Sequence, residues 1–84
     1  MDKWFLQEIY DEYVIASKKF KKFNSRHEGY AVIKEEVDEL WDAIKGNFAN
    51  NLVRKEAIQV GAMALRFLID CQAPQTEAKA PDAP

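Results

Sequence analysis

The chain has 84 residues, 48% of them hydrophobic, with a formal net charge of −2. That length supports a single domain, and the near-neutral balance supplies no basic field for a nucleic-acid polymer. Cys71 is the only cysteine, which excludes an intrachain disulfide and fits a reducing compartment. The apolar stretches are short and broken by charge, so neither a signal peptide nor a membrane span is expected and the expected location is the cytoplasm.

Proline is absent before Pro74, glycine occurs only at Gly29, Gly46 and Gly61, and apolar residues recur at helical spacing without sustained strand alternation. An all-α fold of three helices is predicted. The first runs from about Lys3 to Phe23, with Phe5, Leu6, Ile9, Tyr10, Tyr13, Ala16 and Phe20 as its apolar stripe. Its end carries Lys18, Lys19, Lys21 and Lys22. These charges match the negative end of the helix dipole; binding of an anionic ligand is the sharper alternative.

Asn24 and Ser25 break the pattern. In "SRHE" the Ser25 hydroxyl can accept a backbone N–H three residues on, and Glu28 can reach back to the N–H of Ser25, a capping box. The second helix then spans about Arg26 to Lys45, with Ile33, Val37, Leu40, Trp41 and Ile44 as its core side, and Gly46 is expected to end it in a left-handed turn. "NFANN" is the connection, and Asn50 or Asn51 can cap a third helix from about Leu52 to Cys71. "APQTEAKAPDAP" holds three prolines and no large apolar residue. The expected division is therefore a helical domain over 1–72 and a disordered tail over 73–84.

The segment "KEEVDELWDA" contains five acids, Glu35, Glu36, Asp38, Glu39 and Asp42. At about 100° per residue, Glu28, Glu35, Glu39 and Asp42 share one stripe opposite the apolar residues, as on a solvated amphipathic helix. Like charges four apart, such as Glu35 and Glu39, repel by a few tenths of a kcal/mol, and a counter-ion would remove that cost. Glu36 and Glu39 rise only about 4.5 Å along the axis, so their carboxylates can converge on a cation.

The third helix is apolar on two faces and is therefore expected to be central. Val53, Val60, Met63 and Phe67 lie on one side; Ile58, Ala62, Leu65 and Ile69 lie on the other. Glu56 sits within the first face. A buried carboxylate needs a partner: a salt bridge to Lys55, Arg54 or a lysine of the first helix, or a metal. Oxygen-only ligands favour Mg²⁺ or Mn²⁺. Asp70 is about 21 Å further along the helix and is expected to serve its end. His27, the only histidine, has no nucleophile partner and suits a surface or capping role. Trp41 fits the core, with stacking on a base as the alternative.

"EEVDE" at Glu35–Glu39 matches the E-E-x-x-E motif of the MazG-like, all-α nucleoside triphosphate pyrophosphohydrolases. With sixteen residues between them, "EAIQ" at Glu56–Gln59 falls where that family has E-x-x-D. The wider phrases "HEGYAVIKEEVDELWDAI" and "RKEAIQVGAMALRFLID" resemble its small phage and mobile-element members, over roughly Ser25 to Cys71. The resemblance implies that the two motifs face each other in a helical bundle. There they would hold Mg²⁺ (or Mn²⁺) for hydrolysis of a nucleoside or deoxynucleoside triphosphate to monophosphate and pyrophosphate, as in clearing non-standard nucleotides. Carried over, Glu36, Glu39 and Glu56 become metal ligands. Glu35 joins these three in the catalytic set, as a further ligand or by positioning water. Gln59 stands where the motif has Asp; its amide oxygen can still ligate Mg²⁺, without the charge. His27 and Lys55 are the candidate substrate-binding residues. The family's usual fourth helical element has no counterpart, which implies a three-helix unit completed by oligomerisation, as a dimer or tetramer. The partners so implied are a nucleoside triphosphate and a second copy of the chain, with no membrane and no nucleic-acid polymer. A non-catalytic helical module for nucleotide binding or protein interaction is the alternative.

Overall fold

Ser25 starts the second helix as its sequence suggests. Its backbone is extended and its hydroxyl accepts from the backbone N–H of Glu28 at 3.0 Å, which satisfies one of the free donors of the first turn. The reciprocal half of the box differs from expectation. Glu28 reaches one residue further back, accepting from the Asn24 backbone N–H at 2.7 Å and from Asn24 Nδ2 at 3.2 Å. Asn24 offers two donors where Ser25 would have offered one.

A computed structural model describes residues 3–72, and the tail expected over 73–84 lies outside the described residues. The described residues are all-helical: α1 (Lys3–Lys19), α2 (Arg26–Lys45) and α3 (Asn50–Asp70). No helix among them is long and apolar enough to cross a membrane.

Three boundaries differ from the sequence reading, each for a local reason. α1 ends at Lys19 instead of continuing to Phe23. The lysine-rich link that follows bonds to α3: Arg66 Nη2 donates to the Lys21 carbonyl at 3.0 Å, and the Phe23 N–H donates to Asp70 Oδ2 at 3.3 Å. Asp70 thus holds the link between α1 and α2. At the end of α2, Gly46 stays right-handed (φ −77°, ψ 0°), and Asn47 takes the left-handed position at φ 54°. Asparagine tolerates that region better than most residues. α3 begins at Asn50, so Asn50 and Asn51 lie inside its first turn, and Ala49 precedes it without a side-chain cap.

α3 is central, as its two apolar faces predict. Both other helices pack on it, and the backbones of α1 and α2 stay apart. α1 runs in the same direction as α3, because Glu8 meets Arg54, Glu12 meets Gln59, and Lys21 meets Arg66. α2 runs antiparallel to α3. Its start is latched to the far end of α3 by Arg26 Nε donating to the Cys71 carbonyl at 3.3 Å. Gly29 lets this pair approach closely: a Cβ there would lie 2.6 Å from Phe67 Cδ2 and 3.1 Å from Phe23 Cδ2.

The core is small. Ala16, Ala62 and Met63 are buried together, with Tyr13, Val32 and Ile33 packed around them. Phe23 and Ala43 are also buried. The expected core side of α2 is only partly covered. Ile33 and Leu40 are half-buried, whereas Val37, Trp41 and Ile44 are exposed, Trp41 by 54%. Phe5, Leu6, Tyr10 and Phe20 of the expected α1 stripe are exposed as well. The cause is topological: α1 leans on α3 and does not extend across α2, so these faces have no cover among the described residues.

Candidate metal centre

Successive positions on α2 diverge by about 100°, so Glu35 and Glu36 face differently, while Glu36 and Glu39 lie nearly in line. α3 packs antiparallel beside them and presents Glu56 from its second turn. One oxygen each of Glu36, Glu39 and Glu56 lie within 4.8 Å of one another. Glu36 and Glu56 are half-buried and Glu39 is exposed. Three of the residues that the two acidic motifs single out, Glu36, Glu39 and Glu56, therefore meet in space, and Glu35 is not one of the converging group.

The electrostatics record the crowding. Burial pushes the Glu36 carboxyl up from its ordinary value to about 7. Repulsion from Glu39, a hydrogen bond to it, and the charges of Glu56 and Glu35 add to the rise. Carboxylates held this close favour a shared proton or a cation. The salt bridge considered for Glu56 is not formed among the described residues: Arg54 pairs with Glu8 at 2.6 Å instead, stacked over the Phe5 ring. Three oxygen donors with no nitrogen or sulfur beside them suit a hard divalent cation such as Mg²⁺ or Mn²⁺.

Beside the cluster lies a cleft of about 550 Å³. Its floor is α3, at Gln59, Met63 and Arg66; α1 and α2 form its walls. Glu35 and Glu36 line it from α2 and Glu12 lines it from α1. Gln59 does not stand free. Its side-chain N–H donates to Glu12 Oε1, tying α3 to α1. This pair also borders a second cleft, of about 420 Å³, where Lys55 lies with Glu8, Asp11 and Arg54. Lys55 is thus across the Glu12–Gln59 pair from the main cleft. His27 is exposed in the first turn of α2 and is not among the residues lining the main cleft.

Two residues of this region carry no motif. Glu12 is one of three acids along α1, with Glu8 and Asp11, and nothing in its spacing marks it. Arg66 had a signal: it is the single charge within the apolar run "AMALRFLI", and it is almost fully buried. Compared with known proteins, the chain matches no family model, no curated protein and no solved structure.

Proposed function

We propose that the chain is a MazG-like, Mg²⁺-dependent nucleoside triphosphate pyrophosphohydrolase, acting on a nucleoside or deoxynucleoside triphosphate. The observation that carries this reading is the convergence of Glu36, Glu39 and Glu56 from two helices to within 4.8 Å, at the side of a cleft of ligand size. In this reading those three carboxylates hold the cation. When bound, Mg²⁺ supplies charge neutralisation and orientation for the phosphates. Glu35, lining the cleft beside Glu36, positions the water that attacks the α-phosphorus and accepts its proton. The bond between the α- and β-phosphates breaks, and pyrophosphate leaves.

Assembly belongs to the same reading. The exposed Val37, Trp41 and Ile44 form a face that a second copy would cover, giving a dimer or tetramer. A second function is favoured by one observation: Gln59, at the position of the motif's Asp, is engaged by Glu12. A module that binds nucleotide without turnover would tolerate that engagement. Incubating the pure protein with a panel of nucleoside triphosphates and Mg²⁺, and assaying pyrophosphate, separates the two. Metal-dependent pyrophosphate release supports the hydrolase. Saturable nucleotide binding without release supports the module.

A further inference from the structure

Arg66 is 4% exposed, and a buried guanidinium normally has an anionic partner. Here no salt bridge holds it among the described residues. Of its five N–H groups, one on Nη2 goes to the Lys21 carbonyl at 3.0 Å and one on Nη1 to the weak acceptor Met63 Sδ at 3.5 Å. Nε is buried and has no hydrogen-bond partner. The rings of Phe23, at 4.2 Å, and Phe20, at 5.9 Å, flank the cation. Stacking offsets part of the desolvation cost and leaves donors unused.

Arg66 is among the residues lining the main cleft, and so are Lys19 and Lys21. The cleft is therefore polar in two senses, with Glu35 and Glu36 toward one end and three cations toward the other. Glu28, which also lines it, is held by Asn24. The bond to Met63 turns the guanidinium back along α3 toward the acids, as helical side chains tend to turn. Met63 lies seven residues from Glu56, about 10 Å along the helix. A triphosphate with its inner phosphates at the acids can reach Arg66 with its outer ones.

We propose that Arg66, with Lys19 and Lys21, is the binding site for the outer phosphates of a polyphosphate-bearing ligand in this cleft. The substrate class rests on the hydrolase reading; the anion site itself does not. The guanidinium fork suits a phosphate's paired oxygens, and the lysines add charge at the rim. Arg66 is thus a substrate-binding residue, and it retains the departing pyrophosphate end.

The test uses the full chain, ¹⁵N-labelled, titrated with inorganic tripolyphosphate without metal while the Arg66 side-chain Nε–H resonance is followed by NMR. Saturable movement of that resonance is expected, with competition by a nucleoside triphosphate and much weaker movement with the corresponding monophosphate. Arg66→Met should weaken tripolyphosphate binding about tenfold or more, as loss of hydrogen bonds to a charged group implies. Lys21→Ala, at an exposed position, should weaken it about two- to fivefold and serves if Arg66→Met does not fold. An unmoved resonance, equal movement with the monophosphate, or unchanged affinity in Lys21→Ala and Arg66→Met overturns the site. Tripolyphosphate binding without pyrophosphate release would leave the anion site standing and remove the hydrolase. Release that persists unchanged in Arg66→Met would do the reverse.

Discussion

Replacing Glu36 by glutamine should stabilise the metal-free protein, and only at the upper end of the pH range. The folded-state carboxyl lies at about 7, against an ordinary value of 4.5. The folded chain therefore holds this proton more tightly than the unfolded chain does. Its contribution to stability is fully present below pH 4.5 and is lost as pH rises toward 7. The ceiling on that loss is about 3 kcal/mol at 1.36 kcal/mol per pH unit. Glu36 is only half-buried and its neighbours are hydrated, so screening lowers the expected loss to about 1–2 kcal/mol. For a domain of this size that is a fall in Tm of about 4–15 °C. Thermal melts in chelator-treated buffer from pH 4 to pH 8.5 should show the wild type declining and Glu36→Gln nearly level over that window. Mg²⁺ at pH 8 should restore the wild type by mass action and leave the variant little changed. Parallel pH curves for the two proteins would refute the account of the cluster.

Glu56→Gln should abolish both the stabilisation by Mg²⁺ and any pyrophosphate release; a variant that still responds to Mg²⁺ in thermal melts would remove Glu56 from the ligand set. Gln59→Asp should tighten Mg²⁺ binding in calorimetry, while the metal-free variant loses about 1 kcal/mol because a second carboxylate then faces Glu12; unchanged Mg²⁺ affinity would place Gln59 outside the metal's reach. Gly29→Ala should lower the urea midpoint by an amount equivalent to about 1 kcal/mol, because the crowding at Phe67 outweighs the helix-propensity gain, and a stabilised variant would contradict that packing. In sedimentation equilibrium the wild type should exceed its 9.7 kDa chain mass, and Trp41→Lys should return it toward that mass with little change in helix content; a wild type found only at the chain mass would end the oligomer reading.

The sequence carries the helices well because their signals are local. Ser25 and Glu28 mark a boundary by themselves, and the two apolar faces of α3 announce its central place. The meeting of Glu36, Glu39 and Glu56 is implied by the two-motif resemblance and not by periodicity, which leaves Glu56 open to a salt bridge; in the structure the antiparallel α2–α3 pair brings the three together. What remained hidden depends on the third partner. Periodicity reports that Trp41 is on an apolar face, and it does not report whether α1 reaches that face. The end of α1 is hidden from periodicity for a similar reason. Residues 20–23 keep helical spacing, yet their backbone is claimed by Arg66 and Asp70 about 45 positions away. Glu12 was illegible because its partner Gln59 belongs to a helix whose register against α1 no motif fixes.

Among the described residues the backbone of α1 packs on α3 and not on α2, whereas the acid cluster belongs wholly to α2 and α3, joined by residues 46–49. The protein should therefore open in two steps during native-state hydrogen exchange. The amides of α1 should exchange through a cheaper, sub-global opening, and those of the α2–α3 pair through a costlier one. Occupants of the site would then be told apart by which amides they protect. A bare cation at the acids should slow exchange in α2 and α3 only. A molecule spanning the cleft from Glu36 to Lys19 should also slow α1, because its release would have to precede the detachment of that helix.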